Sequence, residues 1–181
     1  MQNEESLVRR AQKHDQEAFA QLYEGHFDKI YRYLALRIGN EMEAEDMTQQ
    51  VFLKALRSIS SFRWKGVPFS AWLFRIAHNQ AVDYLRKKTK RTSVPLDESL
   101  ADSDDTPQSA AERKLDVERL LSATSQLTEA QREVISLRFT SELSIAEVSR
   151  VMGKSQGAVK ALQHSAIVAL RRRLLVTGNE G

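Results

Sequence analysis

The sequence predicts an all-α protein: two small helical domains joined by a flexible acidic linker, with a helix-turn-helix in the C-terminal one. Three observations predict it. Apolar residues recur at three- and four-residue spacing through both halves, and no segment sustains two-residue alternation. The seven glycines are scattered along the chain. Residues 92–111 hold Pro95 and Pro107, many Ser and Asp and almost no large apolar side chain, so they bury too little surface to offset the entropy of ordering.

The elements follow in order. Asn3 caps a short first helix whose opening turn carries Glu4 and Glu5, favourable at the positive end of the helix dipole. Asp15 opens a second, with Phe19, Leu22, Tyr23, Phe27, Ile30, Tyr31 and Leu34 at helical spacing, ending near Gly39. Asn40 and Glu43 form a capping box for a helix through Met47, Val51 and Leu56. A loop over 60–68 leads to a helix over 69–88 striped by Trp72, Leu73, Ile76, Ala77 and Leu85. Beyond the linker, a helix over 108–122 precedes a box of Thr128 and Gln131, whose helix carries Val134, Ile135, Leu137 and Phe139.

The last third, 144–173, reads as the helix-turn-helix. Ser144 and Glu147 are a capping box, and Ile145, Val148, Val151 and Met152 share one face of a short helix. Gly153 suits the left-handed residue that ends it, and Ser155 caps the next. The second helix buries Val159, Leu162 and Ala166 and shows Gln156, Lys160, Gln163 and His164 to solvent. Two short helices about a glycine turn are the geometry that enters a DNA major groove. An ordinary helical hairpin satisfies the same pattern.

Net charge of +3 conceals a division. Residues 1–91 carry 16 Lys and Arg against 11 Asp and Glu, and residues 113–181 carry 11 against 7. Between them, 92–112 hold six acids and no Lys or Arg. Basic blocks suit polyanions, because each neutralised phosphate releases counterions; a solvated surface is the bland reading. There is no cysteine, no signal-like start and no apolar run long enough to cross a bilayer, which fits a cytoplasmic protein.

Catalysis finds no footing. His14, His26, His78 and His164 are far apart and in no metal-ligand spacing, and there is neither a glycine-rich phosphate loop nor a G-x-S-x-G. No catalytic residue, metal or cofactor is expected. Two other groupings carry more. Asp46, Gln49, Gln50 and Lys54 stand three to four apart, a polar strip opposite Met47 and Val51 that also describes a solvated face. Residues 61–79 interleave aromatics with cations beside the basic run at 86–91. Single-stranded nucleic acid needs such a surface, with rings stacking bases at about 1–3 kcal/mol each while cations hold the backbone. Trp72 and Phe74 suit the core better; Trp64, in a polar loop, is the exposed platform.

Three strings occur in series: Glu45-Asp46-Met47-Thr48-Gln49-Gln50-Val51-Phe52-Leu53-Lys54, Trp72-Leu73-Phe74-Arg75-Ile76-Ala77-His78-Asn79 and Gln131-Arg132-Glu133-Val134-Ile135. With the acidic linker between the second and third, the chain resembles a bacterial RNA polymerase sigma factor of the extracytoplasmic function (ECF) branch over nearly its whole length. The resemblance implies a non-enzymatic subunit that directs core polymerase to promoters and helps open them. It divides the chain into an N-terminal domain (1–91), a linker (92–112) and a C-terminal domain (113–181). It implies that Asp46, Gln49, Gln50 and Lys54 bind the coiled coil of the largest polymerase subunit. Arg63, Trp64, Lys65, Arg75, Asn79, Arg86 and Lys87 would melt and read the −10 element, Asn79 holding a flipped base. Ser155, Gln156, Lys160, Gln163, His164 and Arg171 would meet the −35 duplex.

The chain departs from the family's patterns in two places. It lacks the tryptophan pair that the housekeeping branch carries near Arg75 and Ile76, a weaker wedge that demands a better-matched promoter. It also lacks the arginine many relatives carry near Ser165, and with it about 1–3 kcal/mol of base discrimination. The implied partners are core polymerase, promoter DNA (duplex at −35, single-stranded at −10) and an anti-sigma factor, with no membrane insertion. The six linker carboxylates would mimic RNA in a basic channel of the polymerase, or serve only as a soluble tether. The alternatives of another class are a free-standing helix-turn-helix regulator, which binds its operator alone as a dimer, and a helical RNA- or protein-binding module.

Overall fold

The computed structural model describes residues 3–91 and 107–177, which form eight α-helices and no strand. The expected linker lies largely outside the described residues, at 92–106. Helix α1 spans Glu4–Gln12 and α2 Gln16–Ile38. The Asp15 carboxylate caps α2 by accepting from the Ala18 amide at 3.1 Å. That bond and the Arg10 guanidinium hold its pKa below the usual carboxylate range. Helix α3 spans Glu41–Ser58 and α4 Phe69–Arg91, and a short 3₁₀ turn, Ile59–Ser61, lies between them.

The C-terminal half comprises α5 (Pro107–Thr124), α6 (Glu129–Ile135), α7 (Ile145–Met152) and α8 (Gln156–Thr177). Both capping boxes expected here are complete, Thr128 with Gln131 and Ser144 with Glu147. Gly153 closes α7 at φ 66°, a left-handed conformation that a side chain would strain.

The two halves are packed into one body. A single buried cluster runs from Val8, Leu22, Ile30 and Leu34 through Val51, Phe62, Leu73 and Phe74 to Val134, Leu137, Val148 and Val159. Helix α7 packs on α4, and α2 meets α5, α6 and the turn after α6. A smaller cluster of Leu127, Ile135 and Ala166 seats α8 on α6.

Four local expectations are corrected. Asn40 accepts from the Glu43 amide at 3.1 Å, but the Glu43 carboxylate lies near Tyr84. Burial, then that carboxylate, raises the pKa of the Tyr84 hydroxyl. Leu56 is 48% exposed, since α3 turns it to the same side as Asp46 and Gln49. Phe139 is 58% exposed because α6 continues as a π-turn over Ser136–Thr140, and the wider turn rotates its ring out of the core. Gln163 is half-buried; its amide oxygen accepts from Arg138 at 2.9 Å, so it is less available to DNA than its helical position suggests.

Candidate functional site

Three surfaces collect the expected residues. On α3, Asp46, Gln49, Gln50 and Lys54 are all exposed while Met47, Thr48 and Val51 are buried beneath them. Gln50 donates to Asp46 at 3.2 Å, and Gln49 accepts from the Tyr23 hydroxyl at 3.2 Å. Three apolar residues missed in the sequence extend this strip: Met42, Leu53 and Leu56 are 44%, 48% and 48% exposed. With Asp46 and Gln49 they fall at alternating four- and three-residue steps, the seam one helix offers to a coiled-coil partner. The signal was there in the spacing, but apolar residues at helical spacing are read first as core.

The second surface joins the loop before α4 to one face of that helix. The loop is fastened from two sides. Gln12 on α1 donates to the carbonyls of Ile59 and Phe62 at 3.0 and 2.9 Å, and Phe62 is buried against Phe69 and Trp72 with ring centroids 5.8 and 5.2 Å away. Trp64 stands out of it, 37% exposed, its ring edge-on to Phe62 at 5.1 Å. Arg63 and Lys65 are exposed beside it, Arg63 folded back onto the Ser60 and Phe62 carbonyls. Along α4, Arg75, Asn79, Val82 and Arg86 recur at one face and all are exposed; Arg86 pairs weakly with Asp83 at 3.3 Å, and Lys87 is exposed next to it. Where loop and helix meet, a cleft of about 270 Å³ opens between Phe62, Trp72, Arg63 and Arg75. Aromatic walls with guanidinium groups at the rim suit an unstacked base and its phosphate.

The third surface is the start of α8. Ser155 caps it by accepting from the Ala158 amide at 3.1 Å. Gln156, Lys160, His164 and Ser165 are exposed on one side, and Val159 and Ala166 are buried on the other. Arg171 is exposed further along the helix. Ser165 accepts from the Gln131 amide at 3.0 Å, which ties α8 to α6.

A fourth grouping escaped the sequence reading. Arg37 on α2 and Glu133 on α6 are 8% and 5% exposed, and their ion pair measures 2.7 Å. Glu133 also accepts from Tyr33 at 2.8 Å and faces the His78 Nδ1 at 2.5 Å, and the same nitrogen lies 3.3 Å from the Arg37 guanidinium. Arg37 reaches Glu129 as well, at 2.8 Å. Burial opposes the Glu133 charge, but the His78 hydrogen bond and the Arg37 charge overcome it and hold its pKa below the ordinary range. Burial, and then the Glu133 charge, push the Tyr33 hydroxyl well above its usual value. Arg37 sits inside an apolar run, Leu34-Ala35-Leu36-Arg37-Ile38, and Glu133 adjoins Val134 and Ile135, so each buried ion needs a partner elsewhere in the chain.

Comparison with known proteins gives the family. The Sigma-70 region 2 family model matches residues 22–91, and the Sigma-70, region 4 model matches 123–172. The ECF RNA polymerase sigma factor BldN of Streptomyces coelicolor is 40% identical over 170 residues, which cover 93% of this chain and 64% of that protein. The ECF sigma factor SigW of Bacillus subtilis is 34% identical, over 92% of this chain and 94% of its own length. The solved structure of CnrH in complex with the cytosolic domain of CnrY superposes with a TM-score of 0.68 at 27% identity, covering 94% of this chain and 96% of CnrH. No described helix is long and apolar enough to cross a membrane. By these matches the chain belongs to the ECF sigma factors, the family that gives RNA polymerase promoter-specific transcription initiation.

Proposed function

We propose that this chain performs promoter-specific initiation with a division of labour among its three surfaces. The α3 strip, Asp46, Gln49, Gln50 and Lys54 together with Met42, Leu53 and Leu56, docks on the polymerase coiled coil. The loop and α4 face, Arg63 to Lys65 with Arg75, Asn79, Arg86 and Lys87, takes the unpaired −10 strand. The exposed start of α8, through Ser155, Gln156, Lys160 and His164, meets −35 duplex, while Gln163 serves mainly to hold Arg138 and Arg171 meets phosphate. Residues 1–91 and 113–181 act as the two DNA-reading units with 92–112 between them. Their shared length of DNA converts two modest contacts into one tight one when the spacing suits both. The chain works where polymerase works, in the cytoplasm, as a binding subunit and not an enzyme. Its structural neighbour CnrH is held in complex with the cytosolic domain of a second protein, CnrY. An anti-sigma factor would in the same way bind this chain and compete for the polymerase-docking strip.

One observation carries this reading: the cleft lined by Phe62, Trp72, Arg63 and Arg75 lies at the head of an exposed polar and basic α4 face in the same chain as an exposed recognition helix. Run-off transcription with purified core polymerase on a genomic promoter library tests it. Discrete transcripts that need the chain are expected. A chain that binds duplex operator tightly alone, and starts no transcript with core, would instead be a free-standing regulator.

A further inference from the structure

The cleft at the head of α4 is lined by three guanidiniums that no carboxylate neutralises. Arg63 comes from the loop, Arg75 from α4 and Arg150 from α7. All three are exposed, and none forms an ion pair among the described residues. Each is anchored through its Nη1 alone. Arg63 donates to the Ser60 and Phe62 carbonyls at 2.7 and 2.9 Å, Arg150 donates to the Gly66 carbonyl at 2.5 Å, and Arg75 donates to the Arg150 carbonyl. Gly66 sits at φ 68°, a left-handed turn that a side chain would strain. Carbonyl oxygens orient these cations but bring no net charge to offset theirs. Anchoring at one nitrogen leaves Nε and Nη2 of each group, the forked edge that grips a phosphate with two parallel hydrogen bonds.

Between the forks lies an apolar slot. The cleft measures about 270 Å³ and is walled by Phe62 and Trp72, whose ring centroids are 5.2 Å apart. Pockets for small molecules begin at about 300 Å³, so this one has room for a base and its sugar, with phosphates left at the rim. A base stacks on such walls whether or not it belongs to a strand. A strand, however, offers one phosphate per nucleotide, and the strand reading gives Arg150 no task, because α7 belongs to the half that meets duplex. A ligand that carries two phosphates on a single base uses all three forks.

We propose that this cleft binds a free nucleoside diphosphate, its base in the slot beside Trp72 and its phosphates on the forks of Arg63, Arg75 and Arg150. The proposal rests on the assignment of the cleft to an unpaired base and adds a second, soluble ligand at the same place. Arg150 stands on a different half from Arg63 and Arg75, so the nucleotide bridges α7 to the loop and α4. Its base fills the slot that an unpaired strand would use, so nucleotide and strand exclude each other. The free nucleotide level then sets how readily this chain takes single-stranded DNA.

Isothermal titration calorimetry of the full free chain at low salt tests this. ADP and GDP are the probes; adenosine, guanosine and inorganic pyrophosphate are the controls. One-to-one binding of at least one diphosphate is expected, at least tenfold tighter than its nucleoside and than pyrophosphate. Arg150→Ala and Arg63→Ala should each weaken it at least fivefold, whereas Arg9→Ala, which removes an exposed cation on α1, should leave it within twofold. Arg63 touches only its own loop, so its variant carries the test if Arg150→Ala disturbs the packing of α7. Pyrophosphate binding as tightly as the diphosphates would mean a general anion patch, and equal losses in Arg9→Ala and Arg63→Ala would mean bulk charge. Either result, or no binding of ADP and GDP, overturns the proposal. The titration contains neither DNA nor polymerase, so missing run-off transcripts would sink the promoter reading and leave this site standing.

Discussion

The faces proposed for unpaired strand and for duplex differ in both charge and availability, with Arg63, Lys65, Arg75, Arg86 and Lys87 on the first and Lys160, His164 and Arg171 on the second. Lys160 and His164 project from α8 into solvent, whereas Arg75 is spent on a backbone carbonyl of α7 and the cleft beside it is rimmed by Arg150. The difference follows from what each face must discriminate. A duplex groove presents a patterned edge that selects its own reader. An unpaired strand presents rings and phosphates that any aromatic, cationic cleft will take. The cleft rimmed by Arg150 would thus be the less selective of the two, and the open start of α8 the more selective.

The buried clasp between the halves, Tyr33, Arg37, His78 and Glu133, offers the largest way to break that difference. Arg37→Met removes one member of a buried, hydrogen-bonded set and strands the Glu133 carboxylate, which costs about 3–5 kcal/mol. Urea denaturation of the full chain should show the loss. A loss under about 1 kcal/mol would mean the cluster is well hydrated and no clasp at all.

Polymerase docking sharpens the comparison from the other side. Asp46 and Gln49 lie on α3, outside the ties that join the halves. Asp46→Lys should weaken binding to core polymerase at least tenfold, about 1.4 kcal/mol, and leave the urea midpoint of the free chain as it was. Coupled changes in both would show that the docking strip and the clasp are one device.

Much of this is legible in the residues. Asn3, Asp15, Thr128, Ser144 and Ser155 each cap the helix that their spacing predicts, because capping is a local bond between neighbours. The exposed strip on α3 and the open start of α8 follow from periodicity alone. What spacing does not reveal depends on the rest of the fold. Phe139 fails as a core residue because a π-turn, and not an α-turn, follows Ile135. Gln163 is drawn in by Arg138, 25 positions away, and Glu133 finds Tyr33 at a separation of 100. A charge within an apolar run announces that Arg37 needs a partner; only the packing of the halves names Glu133 as that partner.

Acidity probes the clasp without mutation. Glu133 has its pKa depressed in the folded chain, so its contribution is complete above the ordinary glutamate value of about 4.3 and disappears as pH falls through the lower folded value. Arg37, Tyr33 and His78 face it, with Glu129 on the far side of Arg37. Denaturation midpoints should therefore fall steeply below that range in the native chain. Glu133→Gln, which cannot ionise there, should show a shallower fall. Parallel curves would place the acid sensitivity elsewhere.

The smallest effect concerns the exposed tie between Lys29 and Glu142. Glu142 lies at φ 59°, a left-handed conformation that costs a residue with a side chain about 1–2 kcal/mol. Glu142→Gly removes that strain but gives back about 0.5–1 kcal/mol in unfolded-chain entropy. The lost ion pair matters little, since Glu142 is 77% exposed and surface pairs contribute about 0–1 kcal/mol. The balance is a stability change of a few tenths, of either sign, with the thermal midpoint moving by no more than about 2–4 °C. The packing of α7 on α4 should hardly change, because the buried cluster and the Arg150 contact with Gly66 are untouched. A large fall in the midpoint would shift the clasp from the buried charges to this surface pair, and Lys29→Ala would then reproduce it.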